Sequence, residues 1–349
     1  MELELADFLN RAQLALARQF LRMAHWNIKE IIFIARFMRH LRRPARLRRD
    51  AAAEGKPAPL FIIASITAQC NLRCAGCYHH ALRGIAKPET PALGAAEWGR
   101  IFDESRALGI KVVLLAGGEP LLRADALKEA AARRDMLFPV FTNGTLIDSV
   151  FLDFFDAHRN VPPVLSIEGG ASFTDSRRGS GIHTQVSAAM AALKKRRVLF
   201  GVSVTVTRAN SEAVVSQQFA AEVKAAGAGA LVFVEYIPAD GGEAAMTAAE
   251  REALALQITV LRNQNPSMLI ILFPGDEAES GGCLAAGRGF FHISASGDAE
   301  PCPFAPQSDT NLRTAHLSAA LAAPLFTSLR ENGSLSALSA APCRLLGTG

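Results

Sequence analysis

Six apolar runs separated by helical patterns fill the chain from residue 60 onward, and this alternation limits the fold more than any other feature. The runs fall at 60–67, 111–116, 137–142, 164–168, 199–207 and 230–237. Helical patterns stand between and after them, near 96–108, 124–134, 145–157, 183–197, 211–227 and 247–264. Most of the runs are almost continuously apolar, as expected of parallel strands covered by helices. Right-handed crossovers then order them into one array. Six units fall short of the eight of a closed barrel. The expected class is α/β: a partial (β/α)6 TIM-like barrel over 58–265, with an N-terminal helical extension at 1–57 and a small C-terminal cap at 266–349. The helix near 247–264 should open on a capping box, Thr247 with Glu250 three residues on.

The extension is basic. Its first fifty residues carry 11 Lys/Arg and 5 Asp/Glu, a balance of +6 in a chain of +4, which leaves about −2 for the rest. Residues 8–43 read as one long helix or two, ended by Pro44. LRRPARLRRD then reads as a hinge and AAAEGKPAP as a linker. Arg11, Arg18, Arg22, Lys29 and Arg36 recur beside a broad apolar surface that includes Phe20, Ile28, Ile32 and Phe37. Such helices either pack on the protein body or lie on an anionic membrane surface. We favour packing and keep membrane contact through residues 8–50 as the alternative. No apolar run approaches the ~20 residues of a bilayer span, and the N-terminus lacks the regions of a signal peptide. The expected location is cytoplasmic, peripheral at the inner membrane face if contact is made, with no nucleic-acid partner.

Ligands of open βα folds gather at the carboxyl ends of the strands, and polar or glycine features stand at those ends here. Cys70–Tyr78 follows the first run and Gly117-Gly118-Glu119-Pro120 the second. Thr142-Asn143-Gly144 follows the third, and Ser166 and Glu168 close the fourth. Ser203 and Thr205 lie in the fifth; Glu235, Tyr236 and Pro238 close the sixth. Cys70, Cys74 and Cys77 are spaced C-x3-C-x2-C, which brings three soft thiolates onto one loop. Such ligands suit iron–sulfur clusters or zinc. Zinc normally takes four protein ligands, and His79 or His80 is available as a fourth. In a chain without an export signal these cysteines are not a disulfide framework. The glycine pair lets backbone approach a ligand, and a backbone carbonyl with the Glu119 carboxylate can receive an ammonium. Asn143 reads either as a ligand contact or as the turn residue of Asn-Gly.

Together these motifs resemble the signature of the radical S-adenosylmethionine (SAM) superfamily, over roughly residues 58–345. In that family three cysteines hold a [4Fe–4S] cluster whose open iron is chelated by SAM. The reduced cluster cleaves SAM to methionine and a 5′-deoxyadenosyl radical. The resemblance implies Cys70, Cys74 and Cys77 as cluster ligands and Gly117, Gly118, Glu119 and Pro120 against the SAM amino group. It implies the Tyr78 backbone near adenine, and Asn143, Ser166, Glu168 and Ser203 at the cofactor, Glu168 standing where relatives carry Asp. Arg178, in Arg177-Arg178-Gly179, is implied as a carboxylate partner. The position before the third cysteine, often aromatic in the superfamily, is Gly76 here.

The C-terminal stretch GCLAAGRGFFHISASGDAEPC places thirteen residues between Cys283 and Gly297 and four between Gly297 and Cys302. This resembles the SPASM and Twitch extensions of the same superfamily, which carry an auxiliary [4Fe–4S] cluster. Residues 290–294 and the Ser296-Gly297-Asp298 turn suit the expected hairpin. Cys343 is implied as third ligand, with His292, His316, Asp298 or substrate open as the fourth. A structural zinc site, or unligated buried cysteines, is the other reading.

The resemblance implies a radical SAM oxidoreductase- or transferase-type enzyme fed by a one-electron donor such as flavodoxin or ferredoxin. It would take hydrogen from an unactivated carbon of a lipid or isoprenoid, a small metabolite or a peptide. The N-terminal segment lacks the strand patterns of a leader-binding domain, which argues against a ribosomal peptide. Tyr236 is a candidate hydrogen donor or radical-site contact. The alternative function is a non-enzymatic zinc or iron–sulfur binding module.

Overall fold

The computed structural model describes residues 2–23, 27–83, 91–238, 246–275 and 280–335. Nine strands form one sheet: β1 Phe61–Thr67, β2 Val112–Gly117, β3 Val140–Thr142, β4 Pro163–Ile167, β5 Gly201–Val206, β6 Ala230–Glu235, β7 Leu269–Phe273, β8 Phe290–Ile293 and β9 Ala299–Glu300. Their order is β7-β6-β5-β4-β3-β2-β1-β8-β9. Every pair from β7 to β8 is parallel, and β9 turns back antiparallel on β8. The six expected strands and the helices between them are all present, and the sheet curls into a partial barrel. The Thr247–Glu250 capping box is formed, Thr247 N donating to Glu250 Oε2 at 2.6 Å and Glu250 N to Thr247 Oγ1 at 3.2 Å.

The sheet does not end at residue 265. β7 extends it beyond β6, and β8 pairs with β1 through Phe61 to Ala64. Strands β7, β8 and β9 of the expected cap are therefore continuous with the barrel sheet, and the hairpin around Gly297 hangs from its β1 edge.

Burial along the strands shows which face is which. In β2, Val113 and Leu115 are fully buried, whereas Val112, Leu114 and Ala116 are half-buried and line an interior cavity. In β6, Leu231 and Phe233 are fully buried, whereas Ala230, Val232 and Val234 line that cavity. Period-2 alternation sends one set outward against the helices and the other inward. The inward set is the less covered one, so the barrel is hollow.

The extension forms three helices, α1 Glu2–Met23, α2 Ile28–Arg39 and α3 Arg42–Ala53. Pro44 does not end a helix. It is the third residue of α3, in a first turn where its missing N–H breaks no helical bond. The expected hinge is accordingly helical. All three helices pack on the barrel. Leu9 of α1 clusters with Leu60, and Gln19 Nε2 donates to Met268 O at 2.5 Å. α2 docks through Glu30, which is 3% exposed: its Oε1 accepts from Arg159 Nη1 at 2.7 Å and from Leu199 N at 3.0 Å. Burial still pushes the Glu30 pKa upward, while the arginine and the main-chain N–H pull it down. Arg48 of α3 is buried against Asn10 and Gln13, and desolvation lowers its pKa to about 10. No described helix is long and apolar enough to cross a membrane.

Candidate active site at the carboxyl ends of the strands

The cysteine loop leaves β1 and is stitched to the glycine pair at the end of β2. Gly118 N donates to Thr67 O at 2.8 Å and Glu119 N to Gln69 O at 2.7 Å. The two backbones lie so close that a Cβ on Gly117 would stand 2.3 Å from Thr67 O, and one on Gly118 2.0 Å from Gln69 O. Gly117 also needs its φ of +119°, which L side chains rarely adopt. These glycines are required by close approach, as the motif suggests.

Cys70, Cys74, Cys77, Gly117 and Gly118 line one cavity with Tyr78, Asn143, Ser166, Ser203, Arg177, Arg178 and Tyr236. The three thiols are free. Burial raises the pKa of Cys70 and of Cys74, with Arg178 pulling Cys74 the other way. Among the described residues no three His, Cys, Asp or Glu side chains gather tightly enough to hold a single metal ion. Ligands of a [4Fe–4S] cube bind separate irons and need not meet at one point. Three free thiols facing one cavity, with two guanidiniums close by, are a donor set that fits such a cluster.

Three residues expected at the cofactor are tied into the protein frame. The Glu119 carboxylate does not face the cavity as an open acceptor. It is fully buried and takes hydrogen bonds from Leu121 N (3.0 Å), Thr142 Oγ1 (2.7 Å) and Asn143 N (2.8 Å), so it ties the ends of β2 and β3 together. Burial raises its pKa and these bonds oppose the rise. Asn143 lines the cavity, yet its amide is engaged. Nδ2 donates to Asn71 Oδ1 at 2.8 Å, and Oδ1 accepts from Thr145 N at 3.0 Å and Thr145 Oγ1 at 2.7 Å. Asn71 lies between the first two cysteines, so this bond braces their loop. Glu168, 1% exposed, accepts from Arg177 Nη1 (2.6 Å), Arg178 Nε (2.8 Å), Arg178 Nη2 (2.6 Å) and Thr205 N (3.0 Å). It aims both arginines at the rim.

Arg177 does more than the sequence suggested. Its carbonyl accepts Ala75 N at 2.8 Å and its Nη2 donates to Gly76 O at 3.4 Å, clamping the loop between Cys74 and Cys77. The Arg177-Arg178-Gly179 run was the available signal. Gly76, with φ +62°, makes room for Tyr236: a Cβ there would stand 2.8 Å from the Tyr236 ring. The Tyr236 ring reaches this loop from the end of β6. Ser166 Oγ and Ser203 Oγ are 3.0 Å apart on the cavity wall. Pro120 is buried and begins the short turn Pro120–Leu122. Phe304, which no motif singled out, meets the Tyr78 ring edge-on at 5.1 Å between centroids.

The C-terminal cysteines are placed in part. Cys283 N donates to Leu335 O at 2.8 Å, and Ala286 N to Pro301 O at 3.1 Å, so the segments bearing Cys283 and Cys302 run side by side. Cys343 lies outside the described residues. The three side chains considered as a fourth ligand are engaged elsewhere. His292 bonds Ser65 Oγ at 2.8 Å and Glu300 Oε2 at 2.7 Å through its two ring nitrogens. Asp298 accepts from Ser294, Ser296 and Asn311. His316 is exposed and pairs with Glu104 at 2.9 Å.

Residues 64–210, which hold the cysteine loop, the glycine pair and the arginine clamp, match the family described as the Radical SAM superfamily. The chain carries a domain of that superfamily. It is 28% identical to the AdoMet-dependent heme synthase of Methanosarcina barkeri over 73% of this chain and 80% of the relative. It is 31% identical to the PqqA peptide cyclase of Ruegeria pomeroyi over 44% of this chain, but spans only 41% of that relative. The fold is similar to Streptococcus suis SuiB bound to precursor peptide SuiA, with a TM-score of 0.66 at 18% identity, covering 83% of this chain and 71% of SuiB. The matched stretch stops within the β5–β6 connection, so β6 with Tyr236, β7 and the C-terminal hairpin lie outside it.

Proposed function

We propose that this chain is a radical SAM enzyme that takes hydrogen from a carbon of a substrate held inside the barrel. Cys70, Cys74 and Cys77 would hold the [4Fe–4S] cluster, with SAM along the rim beside it. Together these groups supply a carbon-centred radical strong enough to break an unactivated C–H bond. The backbone at Gly117 and Gly118 receives the SAM ammonium, Glu119 fixes that backbone, and Arg178 receives the carboxylate. Tyr236, lying against Gly76, offers the aromatic face for adenine and borders the substrate space. The observation that carries this reading is the meeting of three thiols, the close-packed glycine pair and the two anchored arginines on one cavity.

Cys283 and Cys302, joined by Cys343, are proposed to hold an auxiliary [4Fe–4S] cluster that passes electrons. A flavodoxin or ferredoxin would reduce the first cluster. Anaerobic reconstitution should give about eight irons per chain, two clusters of four, and dithionite-dependent release of 5′-deoxyadenosine from SAM. About four irons would remove the auxiliary site alone. Zinc without SAM cleavage would leave only a metal-binding module.

The outward side of α1 and α2 favours a peripheral membrane location. Leu14, Leu21, Ile28 and Ile32 are exposed there among Arg11, Arg18, Arg22 and Arg36, a combination that suits an anionic lipid surface. The full chain should float with anionic vesicles at low salt and not with neutral ones; failure to float would remove this part.

A further inference from the structure

The names of the relatives point to heme in one case and a peptide in another, so the substrate class must come from this chain's own lumen. The cavity that begins at the cysteine rim measures about 1190 Å³ and reaches α1 at the opposite end of the barrel. Pockets for drug-sized ligands run to roughly 300–1,000 Å³, and this cavity exceeds that range. A closed barrel fills its interior with layers of bulky branched side chains. Here the inward positions include Gly201, Ala116, Ala230, Val232 and Val234, and they leave the lumen open.

The chemistry of the lumen changes with depth. Serines, a threonine and the arginine pair mark the rim. Below them the inward strand positions carry no charge. Buried polar groups need partners, so a sugar or a charged metabolite would lie unsatisfied in this middle layer. At the floor Ala12 and Leu16 of α1 border the space, with Arg11, Gln19, Arg22 and Arg262 at the same end, where an aliphatic chain would stop. Gln13 borders it too: Oε1 accepts from Arg48 at 2.5 Å, and Nε2 has no hydrogen-bond partner among the described residues.

We infer that the lumen holds a long aliphatic chain, acyl or isoprenoid, whose functional end reaches the rim and whose length is limited by α1. This rests on the reading of the rim as the SAM site.

The test uses the full chain and four fluorescent alkyl probes, straight acyl and branched polyprenyl, each in a long and a short form. The wild type should bind at least one long probe saturably, and the better of the two families identifies the source of the chain. Ala12→Trp should weaken long-probe binding roughly tenfold or more and leave short-probe binding and 5′-deoxyadenosine formation unchanged. Leu16→Ala, which shortens the floor residue, should favour the long probe and covers the case in which the tryptophan variant does not fold. Absence of saturable binding by any probe, or equal losses for long and short probes, overturns the inference. So does tight binding of a flat tetrapyrrole with no alkyl chain bound. Because SAM cleavage is followed in the same samples, a failed lumen and a failed radical SAM reading give different results.

Discussion

Gly118→Ala should nearly abolish SAM cleavage, although it adds one methyl group at a residue with ordinary φ. The methyl would stand 2.0 Å from Gln69 O and 2.5 Å from Gln69 C, both main-chain atoms. A backbone cannot rotate out of the way as a side-chain tip can, so the cysteine loop and the glycine pair must part. That separation strains the bonds Gly118 N–Thr67 O and Glu119 N–Gln69 O, which set the cysteines relative to the rim. A displacement near 1 Å at a reacting site costs roughly 100-fold in rate, and we expect at least that loss in 5′-deoxyadenosine formation. Reconstituted iron should fall with it. Gly170→Ala is the control. It lies on the same face of the barrel, a Cβ there meets nothing within 4 Å, and its φ of −65° suits any residue. As a helix N-cap it should lose about 1 kcal/mol of stability, the usual cost of Ala at that position, and keep SAM cleavage. Near-wild-type cleavage by Gly118→Ala would mean that the close approach is not what the motif provides.

The strand exits were legible because period-2 apolar runs and glycine or cysteine motifs are local signals. What the residues at those exits touch was not. The resemblance implies Glu119, Asn143 and Glu168 at the cofactor, and Asn143 also reads as the turn residue of Asn-Gly. Each is bonded into the frame, and the partners lie 23 residues away or more in two of the key bonds: Thr142 for Glu119 and Asn71 for Asn143. Tyr236 was legible as a strand-end aromatic, but its seat against Gly76 depends on the missing Cβ of a glycine in the loop after β1, five strands away in the sheet order. β8 was expected in a hairpin and is in one. Its parallel pairing with β1 is non-local, and the four-residue run FFHI carries no mark of which edge it joins. Pro44 misled for a simpler reason: a proline signals a helix end or a helix first turn with equal force.

Glu168 holds both rim arginines, and its removal should have the second large effect. One carboxylate oxygen takes both Arg177 and Arg178, and the other takes Thr205 N. Glu168→Gln keeps the shape but leaves two largely buried guanidiniums, 17% and 10% exposed, facing each other without a counter-charge. Stripping one partner from a buried ion pair costs ~3–5 kcal/mol; because both arginines reach the cavity, a loss near the lower end, about 3 kcal/mol, is expected in urea unfolding. Activity should fall further than stability explains. Arg177 would no longer be held to the Ala75–Gly76 clamp, and Arg178 would no longer be aimed at the rim. Glu168→Asp separates reach from charge: it keeps the anion but is one methylene shorter, so it should hold one arginine and recover only part of the loss. The double variant Glu168→Gln with Arg178→Gln removes one stranded cation and should regain stability without regaining SAM affinity. If the double variant is instead no more stable than Glu168→Gln alone, the two guanidiniums are solvated through the cavity and Glu168 is holding geometry by its bond to Thr205, not by its charge.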